Sequence, residues 1–175
     1  MRGRLQGLRA HHTPLVVPRA HDCTTLYLGS RGRYQALFQT NPGTYWYSRD
    51  YSEHNPLGDP LLPGAAARRY REYAEKYGED NAAYLLAVLG DSAAHYSRAL
   101  VIDTGHPEGE AYAQAVQARA AARGWAFQRE PGQPRLLEQL AAGTWPQADF
   151  LVVPAGYRIV HNDSELIIGA EPNGP

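Results

Sequence analysis

The runs Leu15-Val16-Val17-Pro18, Leu100-Val101-Ile102-Asp103 and Phe150-Leu151-Val152-Val153-Pro154 decide the fold of this chain. Each run is short, continuously apolar and closed by a residue that ends regular structure. None of them alternates polar with apolar residues, and stretches of helical spacing separate them, so they predict buried, parallel strands. The sequence therefore predicts an α/β fold with a three-layer, mostly parallel sheet that carries helices on both faces in a Rossmann-like arrangement.

The segments between these runs carry helix signals with identifiable ends. Ser30 is suited to cap a helix that the turn Asn41-Pro42-Gly43 ends. Tyrosines at helical spacing, from Tyr70 to Tyr77, predict a helix that stops at Gly78 and packs this stripe into the core. The same signals predict two further helices and one long loop: helices over 107–123 and 134–142, and a loop over 49–64.

Length and composition indicate one domain. A chain of 175 residues with 43% hydrophobic content can form one core but is short for two ordinary domains. We therefore predict a single domain over residues 1–170 and a disordered tail over 171–175.

Charge, hydropathy and cysteine content exclude several classes of protein. The 17 basic and 18 acidic residues leave no strong field for nucleic acid. No apolar run approaches the roughly 20 residues of a membrane span, and no secretory segment follows the basic amino terminus. The single cysteine, Cys23, excludes an internal disulfide framework. The sequence therefore predicts a cytoplasmic protein with no nucleic-acid or membrane partner.

Polar residues follow each of the three apolar runs. In a parallel sheet, ligands bind outside the carboxyl ends of the strands, so these loops are expected to converge on one crevice. The candidate residues are Arg19, His21, Asp22 and Cys23 after the first run, Asp103, Thr104, Gly105 and His106 after the second, and Gly156 after the third.

The triplet His21-Asp22-Cys23 places an imidazole, a carboxylate and a thiol before a segment that can begin a helix. A helix start lowers a thiol pKa, so Cys23 is a candidate nucleophile, with His21 and Asp22 as its catalytic partners. Together with His106, the imidazole and the thiolate could also bind a transition metal. In the alternative interpretation, Cys23 is a small buried apolar residue and Asp22 only caps the helix.

The turn Asp103-Thr104-Gly105-His106 is a candidate binding site for a substrate carboxylate or phosphate. Glycine allows close backbone approach, and the following helix can direct its amides at an anion. Arg19 and Gly156 are assigned to substrate binding with this turn. Alternatively, Asp103 caps the next helix and His106 is merely solvated.

Several of these segments resemble a known family. The run from Thr13 to Thr24 contains Pro-Arg-Ala-His-Asp-Cys, which with Lys76-Tyr77-Gly78-Glu79-Asp80-Asn81-Ala82 and Ile102-Asp103-Thr104-Gly105 resembles the DUF1638 family of bacterial and archaeal proteins. The resemblance extends to about Gly156 and implies an α/β fold. It implies no settled activity, but an association of related proteins with corrinoid-dependent methyl transfer implies an accessory role in one-carbon metabolism. A transition metal or a corrinoid is the cofactor that this role would imply.

Longer members of the family differ at the amino terminus. They carry an additional strand and two cysteines upstream of the segment that matches Gly7-Leu8. The resemblance therefore implies an amino-terminally shortened member that lacks an N-terminal strand and part of a cysteine cluster. The uncovered sheet edge would be open to a second copy of the chain or to a partner protein.

Three functions remain as alternatives. The first is an accessory protein that binds a metal or a metal-containing cofactor through Cys23 and His21. The second is a cysteine-dependent enzyme that acts on a small carboxylate or phosphate, with His21 or His106 as the partner of Cys23. The third is a structural subunit that docks through its sheet edge. Elemental analysis of the purified protein would separate the first from the second.

Overall fold

The computed structural model describes residues 5–20, 22–54, 59–89, 92–161 and 168–174. The chain forms two compact units. Residues 1–37 and 132–175 form the first, which we call the terminal unit, and residues 38–131 form the central unit. Each unit contains its own strands and its own hydrophobic core, so each is described separately.

Helices and strands alternate along much of the described chain. The helices are α1 (Cys23–Leu28), α2 (Arg31–Thr40), α3 (Arg49–His54), α4 (Ala65–Tyr77), α5 (Glu79–Leu89), α6 (Gly109–Ala122) and α7 (Arg135–Ala141), with a 3₁₀ helix over Ser92–His95. The strands are β1 (Leu15–Pro18), β2 (Thr44–Tyr47), β3 (Arg98–Asp103), β4 (Ala126–Pro131), β5 (Phe150–Val153), β6 (Tyr157–His161) and β7 (Ile168–Pro172). The mixed α/β fold predicted from the sequence is confirmed. Within the described residues, no helix has the length and apolar character needed to cross a membrane.

The central unit is built on a parallel sheet of three strands in the order β2-β3-β4. Its middle strand, β3, contains the predicted run Leu100-Val101-Ile102 and is buried along nearly its whole length. On one face of the sheet, Ala99 and Val101 lie in the core of the unit with Tyr47. The prediction of a buried parallel strand is therefore confirmed for this run.

Helix α6 covers this face of the sheet with small side chains. Ala113, Val116 and Ala120 recur at a spacing of three and four residues and are at most 3% exposed. This spacing places them on one stripe of the helix, and their small size lets the helix backbone approach the strands. Trp125 ends the connection to β4 and completes the core beside them.

The terminal unit is antiparallel, which corrects part of the predicted topology. Strand β1 pairs with β5 in antiparallel register, from Leu15 opposite Val153 to Pro18 opposite Phe150. Both runs were expected as parallel strands of the same sheet as Leu100-Val101-Ile102, and that expectation is wrong. A run of four apolar residues indicates that a strand is buried but does not indicate its direction. The sequence pattern therefore could not distinguish parallel from antiparallel pairing.

A hairpin of β6 and β7 completes the described part of the terminal unit. The segment before β1 lies along β6, because the amide of Ala10 donates to the Tyr157 carbonyl at 2.8 Å and Gly7 donates to Ile159 at 2.9 Å. Strand β7 includes Glu171 and Pro172, two residues of the segment predicted as a disordered tail.

The helix predictions are confirmed where capping residues mark their ends. Ser30 caps α2 by accepting from the amide of Arg33 at 3.3 Å, and α4 ends at Tyr77 before Gly78 as predicted. The prediction of one loop over 49–64 is wrong in its first part, since α3 occupies Arg49–His54. Helix α3 is short and follows strand β2 at once, so the prolines and glycines farther along the segment obscured it.

Candidate functional site

The carboxyl end of β3 forms a tight polar turn in the central unit. The Oδ1 atom of Asp103 accepts a hydrogen bond from the backbone amide of Gly105 at 2.9 Å. Gly105 has a φ of +79°, a backbone conformation that glycine adopts without strain. A Cβ added at Gly109 would lie 3.1 Å from Asp103 Oδ1, so the start of α6 also approaches this carboxylate closely.

Arg129, on strand β4, binds two carboxylates beside this turn. One terminal nitrogen donates to Asp103 Oδ2 at 2.6 Å, and the other pairs with Glu110 in the first turn of α6. The Gly105 amide and then the Arg129 guanidinium lower the pKa of Asp103. Asp103 is therefore a fixed anion on the same edge of the sheet as two hydrogen-bond donors.

Arg49 approaches the turn from the end of β2. Its guanidinium lies 2.5 Å from Glu108 Oε2 and also contacts the ring of His106. The Nδ1 atom of His106 accepts from the backbone amide of Glu108 at 3.1 Å, which fixes the ring against the backbone of the turn. The carboxyl edge thus brings together two arginines, one histidine and three carboxylates; we call these the edge cluster: Arg49, Asp103, His106, Glu108, Glu110 and Arg129.

Asp22 and Cys23 lie at the start of α1 in the terminal unit. Asp22 is the N-cap, and its Oδ1 accepts from the amide of Thr25 at 3.2 Å. Burial and then the charge of Asp22 raise the pKa of the Cys23 thiol and outweigh the backbone amides at the helix start, which lower it, so the expectation of a lowered pKa is wrong. Asp22 caps the helix as in the alternative interpretation, but Cys23 is half-buried rather than buried.

Arg19 is buried in the terminal unit and hydrogen-bonded to backbone carbonyls. Its Nε donates to Gln147 at 2.9 Å and to Phe150 at 3.2 Å, and a terminal nitrogen donates to Ile168 at 2.6 Å. The guanidinium therefore ties β1 to the segments before β5 and at the start of β7. Substrate binding by Arg19 stays a prediction.

Gly156 makes the turn between β5 and β6. It has a φ of +85°, its amide donates to the Ala10 carbonyl at 2.7 Å, and its own carbonyl accepts from Asn173 at 2.8 Å. Because β1 and β5 are antiparallel, the residues after β1 and those after β5 leave opposite ends of the strand pair. The loops that carry Cys23 and Gly156 were expected to converge because β1 and β5 were predicted to be parallel, and that prediction is wrong.

The predicted residues thus fall into two groups. Asp103, Gly105 and His106 lie in one turn of the central unit, with Thr104 exposed between them. Arg19, Asp22, Cys23 and Gly156 belong to the terminal unit, and His21 lies outside the described residues. In the part of the chain that the structure describes, no group of three His, Cys, Asp or Glu side chains could hold a metal ion.

Sequence reasoning missed the partners of the Asp103 turn. Arg49 follows Thr44-Tyr45-Trp46-Tyr47, whose composition is typical of a strand but which was not assigned as one. Assigning β2 would have placed Arg49 at a strand end. Arg129 could have been found only by assigning the strand Ala126–Pro131, whose second half is polar and carries no apolar run.

The chain matches one known protein family, whereas no curated protein and no solved structure matches it significantly. The model of one family, described as "Protein of unknown function (DUF1638)", matches residues 2–141, which include the edge cluster and the Asp22-Cys23 segment. The resemblance seen in the sequence is thereby confirmed, and the chain belongs to the DUF1638 family.

Proposed function

We propose that the edge cluster binds a small molecule through a carboxylate or phosphate group, with Arg49 and Arg129 as the residues that hold it. The observation that carries this proposal is the position of the two guanidinium groups, one on either side of the turn that follows the middle strand of a parallel sheet. The carboxyl edge of such a sheet is where ligands bind in open α/β folds.

The carboxylates that pair with these arginines are easily displaced. The side chains of Glu108 and Glu110 are 68% and 63% exposed, and ion pairs between such exposed side chains contribute little to stability. A bidentate bond from a guanidinium to a phosphate or a carboxylate is stronger than these pairs. The two glutamates therefore act as competitors that a ligand replaces.

Asp103 has a different role from the two glutamates. Its side chain is less exposed, at 27%, and it accepts hydrogen bonds from both the Gly105 amide and Arg129. The bond with Arg129 holds that side chain in position while Glu110 is replaced. The edge cluster has three carboxylates against two guanidinium groups, so a ligand with a cationic or hydrogen-donating group beside its anion suits it best.

The other expectations from the sequence keep the status of proposals. They are a Rossmann-like three-layer arrangement, a cytoplasmic location, a metal- or corrinoid-binding accessory role through Cys23, His21 and His106, a cysteine-dependent enzyme, and a structural subunit. The edge cluster supports the binding of a small carboxylate or phosphate more directly than it supports any of these.

The test is a titration of the isotope-labelled protein with inorganic phosphate and, separately, with succinate, followed by amide NMR. We expect the amide resonance of Gly105 to shift when the ligand is added. Arg129→Gln should weaken binding about tenfold because it removes a charge-assisted hydrogen bond. We expect Glu110→Gln to strengthen binding severalfold, since it removes the competitor of the ligand.

The matched control is Arg71→Gln, which removes an exposed guanidinium from α4. If this control weakens binding as much as Arg129→Gln, the binding reflects net charge alone. If Glu110→Gln leaves the affinity unchanged, the glutamate is not displaced, and the edge cluster is a structural ion network.

A further inference from the structure

A cavity of about 760 Å³ lies in the central unit, and none of its lining residues belongs to the edge cluster. Its volume falls within the range of about 300–1,000 Å³ that is usual for small-molecule sites. The segment before α4, the α5 residue Leu86 and the carboxyl end of α6 line it. We infer that this cavity is a second binding site, which takes a small amphipathic anion with an apolar body and a phosphate or carboxylate head.

The apolar part of the lining comes from the segment before α4. Pro60, Leu61, Leu62 and Pro63 lie along this side of the cavity, and Leu86 adds to the apolar surface from α5. These side chains offer no hydrogen bonds to a ligand, so they suit a hydrocarbon or aromatic body.

Among the described residues, the charged part of the lining is basic. Arg69 on α4, Arg119 on α6 and Arg123 just after α6 line the cavity, and the described lining residues include no carboxylate. Arg119 and Arg123 are four residues apart, so they lie on the same face of the helix, where like charges repel each other. A position near a helix carboxyl end favours cations and accounts for that pair, but it does not account for the third arginine, which comes from another helix.

One buried carboxylate lies beside the cavity, and its bonds are directed elsewhere. Asp59 Oδ1 accepts from the Tyr47 hydroxyl and from the Leu61 amide, each at 2.8 Å. Its Oδ2 lies 3.8 Å from Arg119, which is too long for a hydrogen bond. The Nε of Arg119 is buried and has no acceptor among the described residues. The Arg119 side chain as a whole is 26% exposed and lines the cavity, so its charge faces a bound anion at the same time as it faces Asp59.

The hydrogen bonds of Asp59 also hold in place the apolar part of the lining, which we call the apolar wall. They tie the start of the Leu61 segment to Tyr47, at the end of β2 in the core. The wall therefore does not need to be organised by the ligand, which lowers the entropic cost of binding. Arg123 is exposed, so the charged end of the cavity is reachable from solvent.

The test compares three probes that separate the two halves of the site: octyl phosphate, octanol and inorganic phosphate. We expect octyl phosphate to bind at least about tenfold more tightly than either of the others by calorimetry, because only it fills both halves. Arg69→Gln and Arg123→Gln should each weaken octyl phosphate binding about tenfold and leave octanol binding unchanged.

Arg119→Gln is a riskier variant, since it leaves the buried Asp59 without its nearest cation. Arg69 and Arg123 therefore carry the test, with Arg71→Gln on the same helix as Arg69 as the control. Equal binding of octanol and octyl phosphate would overturn the proposal, as would unchanged octyl phosphate binding in both arginine variants. Wild-type octyl phosphate binding in Arg129→Gln would show that this site is independent of the edge cluster.

Discussion

Gly29 ends helix α1 at a point where another segment of the terminal unit touches it. Its φ is +69°, and a Cβ at this position would lie 2.5 Å from the carbonyl oxygen of Gln133. We expect Gly29→Ala to destabilise the protein by roughly 2–4 kcal/mol, since strain at positive φ adds to a backbone collision. Denaturant unfolding measures this loss.

Gly143 provides the matched control for Gly29. It has a φ of +71°, and nothing lies within 4 Å of the Cβ position. Gly143→Ala should therefore destabilise the protein by only about 1 kcal/mol, which is the strain of a non-glycine residue at positive φ. Equal losses for the two variants would show that the Gln133 segment moves away from a Cβ at Gly29.

The Cys23 thiol is expected to react slowly at neutral pH. Burial and then the Asp22 carboxylate raise its pKa, and the thiolate is the reactive form. Labelling with an alkylating reagent should rise only as the pH exceeds the ordinary thiol range. Asp22→Asn removes one of the two main causes and should shift the labelling profile to lower pH. A profile already complete at pH 7 in the wild type would contradict this prediction.

Asp103 links the stability of the central unit to pH. Its pKa is lowered in the folded state, first by the Gly105 amide and then by Arg129. Such a group stabilises the fold above its unfolded pKa, and this contribution disappears as the pH falls through the folded pKa. For a side chain that is 27% exposed, we expect less than about 1 kcal/mol.

Carboxyl-carbon NMR during an acid titration checks this assignment. Arg129→Gln should move the Asp103 midpoint upward, yet leave it below that of an unstructured aspartate because the Gly105 bond remains. An unchanged midpoint in Arg129→Gln would mean that the arginine does not bind Asp103 in solution.

Helix α6 depends on its small residues to pack against the sheet. Ala120 is fully buried against the sheet, whereas the next residue, Ala121, is exposed. We expect Ala120→Leu to destabilise the protein by about 1–3 kcal/mol through overpacking. Ala121→Leu should change stability by less than about 0.5 kcal/mol. Thermal unfolding of both variants makes the comparison, and similar melting temperatures would place the buried stripe elsewhere on the helix.

The elements that could be predicted from the sequence are those with local signals. Ser30 and Gly78 mark helix ends through their own backbone and side-chain chemistry, so α2 and the end of α4 were predicted correctly. Strand direction depends on partners far along the chain, and the short runs at Leu15 and Phe150 contain nothing that specifies it. Strands β6 and β7 lack a continuous apolar run, so the sequence pattern did not reveal them as strands.

The candidate site was predictable to a similar extent. The Asp103 turn was located because it follows a buried strand directly. Arg49 lies more than fifty residues before it and Arg129 more than twenty after it, so only the sheet brings the three together. The cavity was not predicted at all, since Arg69 and Arg119 belong to different helices and no periodicity relates them.

The two units differ in how far apart their paired strands lie along the chain. Strands β1 and β5 are roughly 135 residues apart along the chain, whereas β3 and β4 are about 28 residues apart. Closing the longer loop costs about 1.4 kcal/mol more in chain entropy. We therefore expect the amides of Val16 and Val152 to become protected later during refolding than those of Leu100 and Val101.

Pulsed hydrogen exchange with NMR detection measures this order. The amides of the β6–β7 hairpin, which is local in sequence, serve as an internal control for the terminal unit. Simultaneous protection of β1 and β3 would show that the two units form in one cooperative step.

The pairing of β1 with β5 has a consequence during translation. A ribosome makes β1 before the central unit and supplies its partner strand, β5, only after the central unit has been made. Leu15, Val16 and Val17 therefore cannot pair with β5 while the central unit is being synthesised, and a nascent chain in this state is a substrate for chaperones. A premature stop codon anywhere before residue 150 would make that state permanent, so such truncated products should be removed by proteolysis.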